Sequence, residues 1–324
     1  MSIKYNEFGE VISVNGLTTG HHLGAPMQDA LGTEEENSAY GTELATIGRS
    51  ENVVDDLQPE QGGSGGGSGG NTGGVDLVNE WGAGVGMFYG SYSFCGVDFV
   101  KSVTASYCTA VHDHAFAGSS VEAVNLGFRV SSIVNRPTCD LGEGAFMGCE
   151  KLRTVSVYYL DALDDHVFDG CKNLESVEMT IAVNQSGAVQ NITIGDCAFR
   201  NCTKLTEFLS TNGGFNAKII GNNAFEGCER LERVWVEYCE YVYMKAFAGC
   251  TSLTTVILDG ETVCQVELDA FENTPMLTGE GHIYVRANMY EAYRAAYEAA
   301  LDQLMPGFFD ILFRKIEDYP EICG

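Results

Sequence analysis

The sequence is short of basic residues, and this shortage limits the partners that the protein can have. Its 324 residues include 18 Lys and Arg against 45 Asp and Glu, for a formal net charge of −27 at pH 7. Proteins bind phosphate groups through clusters of Lys and Arg, and this sequence has no such cluster. Nucleic acid and anionic membranes are therefore disfavoured as partners. The acidic excess is more typical of high solubility and resistance to nonspecific association.

Motifs for membrane insertion, export and catalysis are also missing. No run of eighteen apolar residues is present, so no membrane span is predicted. Residues 1–7 lack the basic-then-apolar layout of a signal peptide, which predicts that the general export route is not used. There is no Walker loop, G-x-S-x-G, H-E-x-x-H, EF-hand loop or C-x-x-C pair. We therefore predict no cofactor, no metal site and no enzymatic activity.

The sequence does contain a repeated unit, built on Ala-Phe followed by Gly-Cys. An aliphatic residue stands five positions before each Phe, and apolar residues nine and eleven positions after it alternate with others, as in a β-strand. The repeated Phe residues are Phe116, Phe146, Phe168, Phe199, Phe225, Phe247 and Phe271, with a degenerate copy at Phe94. Each unit has one apolar face that it cannot bury alone. The repeat therefore predicts a stacked solenoid with a continuous core.

This pattern resembles the BspA-like leucine-rich repeat of the type A-F-x-x-C-x-x-L-x-x-V/I-x-L, over roughly residues 94–283. The resemblance implies an α/β-type repeat solenoid of about seven or eight right-handed coils, with short strands and turns. It also implies a protein that binds rather than catalyses. The longer units carry insertions at 184–190 and 211–216, and such insertions in solenoids often form loops on the binding face.

Five cysteines occupy one repeat position: Cys149, Cys171, Cys202, Cys228 and Cys250. One interpretation is a ladder of small, buried, reduced thiols, because free Cys often behaves as a small hydrophobe. The other is a metal or redox ladder, although the zinc signature C-x-x-C is missing. The sequence favours the first interpretation.

Changes in composition divide the chain into four parts. Residues 1–61 form an acidic N-terminal arm, starting with a short hairpin that turns near Phe8 and Gly9 and continuing as a polar stretch too poor in apolar residues to order itself. Residues 62–74 are a flexible Gly/Ser-rich linker. Residues 75–282 form the leucine-rich-repeat solenoid, in which residues 75–96 serve as an N-terminal cap. Residues 283–324 form the C-terminal cap. The arm is either an anchor or a disordered tail.

The C-terminal cap is predicted to be helical. His282 to Val285 reads as a last strand, and Asn288 followed by Glu291 has the spacing of a helix cap. Residues at helical spacing form one apolar face, namely Tyr290, Tyr293, Tyr297, Leu301 and Leu304. Pro306 and Gly307 end the helix, and residues 308–316 supply a second short apolar segment. The order of strand and helix resembles the closing module of BspA-like proteins.

The histidines do not indicate a catalytic or metal site. His114 and His166 stand two positions before a repeated Phe, where other copies have Gly144, Cys197, Asn223, Lys245 and Asp269. A position that accepts all these types is most simply a solvated turn. The triplets 112–114 and 164–166, both rich in Asp and His, would stack if their coils were adjacent. Nothing else in the sequence supports a metal site there.

The remaining candidate for a functional site is the outward surface of the strands. Strand residues between the buried ones point outward and form a candidate ligand face: Ser156, Tyr158, Glu178, Thr180, Trp235, Glu237, Tyr238, Ile257 and Asp259. Trp235 is either an exposed anchor of the kind found at interface hot spots or a packing residue over a neighbouring turn. Tyr241 and Tyr243 add aromatic area nearby.

We predict a non-enzymatic binding and display protein that recognises a protein or glycan on a cell surface. The arm and linker suggest a bacteriophage virion component, a fibre or decoration subunit at the virion surface whose arm docks on the particle. The alternative is a BspA-like adhesin on the bacterial cell surface. A third hypothesis, an enzyme with the repeat as scaffold, is disfavoured because no catalytic constellation is present. The sequence is compatible with an oligomer.

Overall fold

The computed structural model describes residues 3–5, 11–14, 17–18, 75–79, 87–105, 108–127, 138–181, 192–208 and 215–319. Within these ranges the chain forms two short α-helices and many short strands. The strands in chain order are β1 (Ile3–Tyr5), β2 (Val11–Val14), β3 (Leu17–Thr18), β4 (Val75–Asn79), β5 (Met87–Tyr89), β6 (Val100–Ala105), β7 (Cys108–Val111), β8 (Ala123–Leu126), β9 (Cys139–Leu141), β10 (Thr154–Leu163), β11 (Ser176–Ile181), β12 (Ile192–Ile194), β13 (Glu207–Phe208), β14 (Phe215–Ile220), β15 (Arg233–Glu237), β16 (Tyr241–Val242), β17 (Thr255–Asp259), β18 (Gln265–Val266), β19 (His282–Val285) and β20 (Phe313–Lys315).

The first three strands form a small antiparallel sheet. In β1 and β2, Ile3 lies opposite Val14, which confirms the predicted hairpin. β3 extends the sheet beyond β2. The rest of the predicted arm and the Gly/Ser-rich linker lie outside the described residues, so those assignments stay predictions.

The remaining strands form the predicted solenoid, which consists of two parallel strand ladders, whereas the repeat pattern predicted one strand per coil. The first ladder contains β4, β6, β8, the start of β10, and β11, and it continues as β13, β15, β17, β19 and β20. The second contains β5, β7, β9, the end of β10, β12, β14, β16 and β18. Strands β4 and β5, which lie in the segment predicted as the N-terminal cap, continue the first and second ladders. No helix in the described part of the chain is long and apolar enough to cross a membrane.

A column of buried phenylalanine rings runs through the core. Neighbouring rings stack almost parallel, with centroids 5.0 to 5.6 Å apart. The column consists of Phe94, Phe116, Phe146, Phe168, Phe199, Phe225, Phe247 and Phe271, each at most 3% exposed. Phe208 and Phe215 pack edge-on beside it in the longer fifth coil. The predicted column of core rings is confirmed, including the degenerate copy at Phe94.

Seven of the eight coils with a core Phe turn through two residues in the left-handed backbone region, and the eighth, that of Phe271, turns through one. The position two before the core Phe has φ between 54° and 58° in seven coils, in Tyr92, His114, Gly144, His166, Cys197, Asn223 and Lys245. The position two after it has φ between 58° and 75°, in Gly96, Gly118, Gly148, Gly170, Asn201, Gly227, Gly249 and Asn273. Gly and Asn reach this region with little strain. The residues two positions before the core Phe therefore share a backbone angle, although their side chains differ too much for this angle to be predicted from the sequence.

The repeated cysteines are buried and hydrogen-bonded. Each thiol donates to the carbonyl oxygen of the core Phe in the preceding coil, at 3.0 to 3.2 Å, in Cys149, Cys171, Cys202, Cys228 and Cys250. Burial raises the pKa of Cys149 and of Cys250 to about 12. The structure supports the interpretation of these residues as a ladder of buried thiols. A thiol fits here because it is small and apolar yet supplies one donor to a carbonyl.

The C-terminal part caps the last coil. The predicted last strand is β19, but helices α1 (Tyr290–Leu304) and α2 (Phe308–Leu312) are followed by β20, which pairs with β19 and ends the ladder. Tyr297 donates its hydroxyl hydrogen to the carbonyl of Cys264 and accepts from the amide of Val266. The helix thus covers the free edge of the last strand in the second ladder.

Two details of the predicted cap are wrong. Asn288 does not cap α1, because a turn closed by the amide of Met289 and the carbonyl of Arg286 precedes the helix and its first residues have no side-chain cap. Leu304 is 62% exposed and so is not buried on the apolar face, although it lines a groove between α1 and the last coil. Tyr293 and Leu301 on that face are buried.

Candidate functional site

The candidate site is the outer strand face, by which we mean the side chains of the first ladder that point away from the core. Alternate residues of each strand, such as Val155 and Val157, enter the core and leave their neighbours on this face. The parallel register aligns these neighbours into rows across successive coils. Ser156 lies beside Glu178, and Glu237 lies beside Asp259.

The N-terminal half of this face is a polar patch. The Tyr158 hydroxyl donates to Oε2 of Glu178 at 3.1 Å. The Tyr159 amide donates to the Thr180 hydroxyl oxygen at 3.2 Å. These bonds between neighbouring coils hold the side chains of the patch in defined positions while part of each remains exposed.

The C-terminal half is covered by the chain itself. In register across β15, β17 and β19, Trp235, Ile257 and Tyr284 form an apolar row. Tyr319 and Ile316 pack on this row and form with it a small core of their own on the outside of the solenoid. The segment 316–319, which we call the C-terminal flap, is therefore part of the outer strand face.

The flap changes the interpretation of two predicted site residues. Ile257 is 0% exposed, so its predicted place on an exposed face is wrong: it points outward but lies beneath the flap. Trp235 is half-buried against the same cluster, and its buried indole nitrogen has no hydrogen-bond partner among the described residues. The packing interpretation of Trp235 is the one that the structure supports.

Polar contacts fasten the flap at its outer edge. Nη1 of Arg233 donates to the Tyr319 hydroxyl oxygen at 3.3 Å, across a sequence separation of 86 residues. The same guanidinium forms an ion pair with Glu207. Burial and then the neighbouring Tyr319 raise the pKa of Tyr284. This contact could not be predicted from the sequence, because nothing in the repeat pattern places residue 319 on the coil that contains residues 233–237.

An exposed aromatic side chain stands beside the flap. Tyr238 follows β15, adopts φ 58° and is 46% exposed. Asp259 nearby forms an ion pair with Arg286, which also contacts Glu261 at 3.3 Å. Of the aromatic residues predicted for the ligand face, Tyr238 is thus the one most available to a partner.

The two Asp/His triplets do not form a site. His114 lies over Gly144 of the next coil and stacks on Tyr92 of the previous one, at 5.1 Å between ring centroids. The triplets 112–114 and 164–166 are therefore two coils apart, so their predicted stacking in adjacent coils is wrong. His166 contacts Asp169, which is held by Arg200 at 2.6 Å. No group of three metal-ligating side chains occurs in the ranges that the structure describes.

Neighbouring carboxylates of several coils form an acidic ridge, comprising Asp113, Asp140, Glu143, Asp161, Asp164, Asp165 and Asp196. Some of them have structural roles: Oδ1 of Asp165 accepts from the amide of Asp196 at 2.6 Å, and Oδ1 of Asp196 accepts from that of Asn222 at 2.7 Å. Burial and the neighbouring carboxylates raise the pKa of Asp164.

An apolar groove lies between the last coil and α1. Its lining is almost entirely aliphatic and aromatic, including Leu268, Leu277 and Leu304. Glu267 is the one carboxylate among its lining residues. A lone carboxylate in such a groove offers no pair of groups for general acid and base chemistry.

Comparisons with known proteins agree with this architecture. The family profile described as "BspA type Leucine rich repeat region" matches residues 88–189 and 188–300 with six copies. A leucine-rich repeat protein of T. pallidum is 19% identical, with 60% of this chain and 87% of that chain covered and a TM-score of 0.37. One from Bacteroides ovatus is 14% identical, with 71% and 81% covered and a TM-score of 0.24.

A leucine-rich cell surface protein from Faecalibacterium prausnitzii is 18% identical, with 65% of this chain and 80% of that chain covered and a TM-score of 0.21. A search of curated proteins returned no match. At these identities and TM-scores the structural likeness carries no argument about function. The assignment rests on the family profile, which matches well over half of the sequence, and on the stacked coils. This chain belongs to the BspA-type leucine-rich repeat family.

Proposed function

We propose that this protein is a non-enzymatic binding protein whose outer strand face recognises a protein or glycan on a cell surface. The observation that carries the proposal is the alignment of outward side chains into rows across successive coils. Such rows offer an extended surface that a single coil could not provide, and solenoids commonly bind partners on extended surfaces. Membership of the BspA-type family, whose proteins are associated with binding and adhesion, supports the same function.

The chemistry of the face favours a polar partner. Its available groups are hydroxyls, carboxylates and the phenol rings of Tyr158 and Tyr238. Ser156, Glu178, Thr180, Glu237 and Asp259 complete this set, and the exposed edge of Trp235 adjoins it. Carboxylates and hydroxyls can hydrogen-bond the many hydroxyls of a glycan or the backbone of a protein loop. Tyrosine contributes apolar contact area and a polar tip at the same time.

Binding can be tested by substituting the most exposed tyrosine of the face. Fluorescently labelled full-length protein is applied to a panel of whole bacterial cells and to printed glycans, and the Tyr238→Ala variant is compared with it. Loss of a central aromatic contact is expected to weaken binding about tenfold, equivalent to roughly 1.4 kcal/mol.

Tyr243→Ala provides a matched control. Tyr243 is 37% exposed, similar to Tyr238, but follows β16 in the second ladder and therefore lies off the outer strand face. The control variant is expected to bind like the unchanged protein. Equal binding by all three proteins, or weaker binding by the control alone, contradicts the assignment of the face.

Two settings fit a solenoid displayed on a tether. In the first, residues 1–61 dock on a bacteriophage particle and the solenoid is a fibre or decoration subunit. In the second, the protein is an adhesin on a bacterial cell. The Gly/Ser-rich stretch 62–74 supports tethered display in both.

Immunogold labelling of virions and of cells from the native source distinguishes the two settings. If the arm is the anchor, protein lacking residues 1–61 should no longer associate with the particle or cell.

A further inference from the structure

Four buried cysteines outside the thiol ladder occur as two neighbouring pairs. Cys108 and Cys139 are buried in successive coils, and Cys239 and Cys264 are buried in two later successive coils. The offsets are identical in both pairs. The first cysteine stands eight residues before its core Phe and the second stands seven residues before the next one. The same arrangement therefore arises twice, near opposite ends of the solenoid.

The strand pairing brings the members of each pair close together. β16 pairs with β18 through Tyr241 opposite Gln265, two residues after Cys239 and one residue after Cys264, so the two cysteines are offset by one residue in the register. β7 pairs with β9 through Ala110 opposite Asp140. Paired strands lie about 4.8 Å apart, which falls within the Cα separation of roughly 4.4–6.8 Å that a disulfide requires. A hydrogen bond to the Cys239 thiol, together with burial, raises the pKa of Cys264, and the same relation holds between Cys108 and Cys139.

Other coils place aliphatic residues at this position. Cys139 is in register with Leu160, and Ile192 is in register with Ala217. An apolar side chain is therefore sufficient to fill the position. Between residues 108 and 264 cysteine appears there only beside a second cysteine, never alone. Packing alone would not require this pairing.

We propose that Cys239 and Cys264, and likewise Cys108 and Cys139, form disulfides that link successive coils when the protein folds in an oxidising environment. With oxidised glutathione as the oxidant, each pair of thiols loses two electrons and two protons to form one S–S bond. The disulfide of glutathione breaks and takes up those electrons and protons as two glutathione thiols. The net reaction consumes one oxidised glutathione for each bond between coils.

The ladder thiols differ from the paired thiols in their contacts. Each ladder thiol donates its hydrogen to a carbonyl oxygen of the preceding coil, as Cys228 does to Phe199 at 3.1 Å. The thiols of Cys108 and Cys239 instead donate within their own coil, over the longer distances of 3.3 Å to Ala110 and 3.4 Å to Tyr241. Reaction with a disulfide also requires a thiolate, and burial of the thiols in the folded state makes thiolates scarce. The bonds therefore form while the coils are still closing, and the folded reduced protein oxidises slowly.

The test is a count of thiols in the full-length protein. The denatured, reduced chain is refolded either with a mixture of reduced and oxidised glutathione or with dithiothreitol, denatured again and alkylated with N-ethylmaleimide. Of the twelve cysteines, four are expected to resist alkylation after oxidative refolding, and none after reductive refolding. Peptide mapping should find 108 linked to 139 and 239 linked to 264. Two such bonds should raise the melting temperature by about 5–10 °C.

Cys239→Ser and Cys228→Ser form a matched pair of variants, because both replace one buried thiol by a hydroxyl. Cys239→Ser should lose the 239–264 bond and gain a reactive thiol at Cys264, whereas Cys228→Ser should keep both bonds. Twelve reactive thiols in the oxidised unchanged protein, or bonds among the ladder cysteines, would overturn the proposal even if a variant fails to fold. No ligand is involved, so the outcome is independent of the binding proposal.

Discussion

Glycine two positions after a core phenylalanine is used for its backbone angle rather than for its small size. At Gly249, φ is 73°, and an added Cβ would lie 3.7 Å from the Cα of Gly227, an ordinary contact. There is thus room for a side chain, and only the left-handed backbone opposes one. Asn201 and Asn273 occupy the same position in other coils with φ of 61° and 58°. Asn tolerates this region better than other side chains do.

The variants Gly249→Ala and Gly249→Asn separate backbone strain from steric clash. Gly249→Ala should lower the free energy of unfolding by about 1–2 kcal/mol, the cost of a left-handed conformation for a residue with a Cβ. Gly249→Asn should cost clearly less, because the amide side chain can bond locally. Urea unfolding of the three proteins measures the difference. A larger loss for Asn than for Ala would show that the available space, and not the backbone angle, is limiting.

At the scale of single residues, the sequence predicted the positions that hold the same residue type in successive coils. The core phenylalanines and the ladder cysteines keep one identity from coil to coil, so their burial could be inferred. The position two before each Phe holds His114, Cys197 and Lys245 among others, and these side chains have nothing chemical in common. Their shared left-handed angle is a property of the turn, which a pattern of side chains cannot reveal.

Among the elements, the C-terminal flap is the one that most alters the candidate site. It packs Tyr319 and Ile316 over an apolar row that would otherwise be an exposed patch of aromatic and aliphatic side chains. The repeat pattern correctly predicted that Ile257 points away from the core. It could not predict the cover, because the covering residues come from a segment without repeats that is far away in sequence. The local periodicity of the sequence determines which way a strand side chain points, whereas its burial depends on tertiary contacts.

Tyr319 variants test the flap. Tyr319→Ala removes a ring that is only 9% exposed and should lower the free energy of unfolding by about 2–4 kcal/mol. Tyr319→Phe keeps the ring and removes only the hydrogen bond with Arg233, at a cost of about 0.5–1.5 kcal/mol. Denaturant unfolding measures both values.

Fluorescence supplies a local measurement for the same variants. In a Trp81→Phe background Trp235 is the single tryptophan, and Tyr319→Ala should shift its emission to longer wavelength as water reaches the ring. Tyr319→Phe should leave the emission unchanged. An unshifted spectrum in Tyr319→Ala would mean that the flap does not cover this part of the outer strand face.

At the scale of the whole molecule, part of the large negative charge lies in the acidic ridge, where it opposes folding. Burial and the carboxylates of Asp113, Asp165, Asp140 and Glu143 raise the pKa of Asp164, so the folded state favours its protonated form. The stability contributed by this group is fully present below the unfolded pKa of about 3.9. It is lost as the pH rises through the higher pKa of the folded state.

Asp164→Asn should therefore raise the melting temperature at pH 7, by about 1–3 °C for a partly exposed group. At pH 3, where the aspartate is protonated in both states, the difference should disappear. Glu150→Gln is the matched control, because the hydrogen bond and charge of Lys172 lower the pKa of Glu150. That variant should gain nothing at pH 7. A gain of the same size in both variants would attribute the effect to net charge rather than to the ridge.

The stacking of equivalent coils was predictable as a whole, because the hydrophobic pattern and its period survive variation in the loops. The stacking also makes the molecule modular: each coil contacts mainly its neighbours, so stability is approximately a sum over coils and their interfaces.

Deleting residues 147–168 removes one complete period, including all of β10. Phe146 is then followed by Asp169, β8 can pair with β11, and the ring of Phe146 can stack on that of Phe199.

The shortened protein should fold with the same circular dichroism per residue and unfold in one transition at a lower temperature, because one interface between coils is lost. Deleting only residues 147–157 removes half a period and is the control. That change breaks the register, since the remaining half-coil brings apolar residues to the outer face, so this protein should aggregate or bind hydrophobic dyes. If both deletions behave alike, the coils are not interchangeable, and the core depends on contacts between particular neighbours rather than on the repeat.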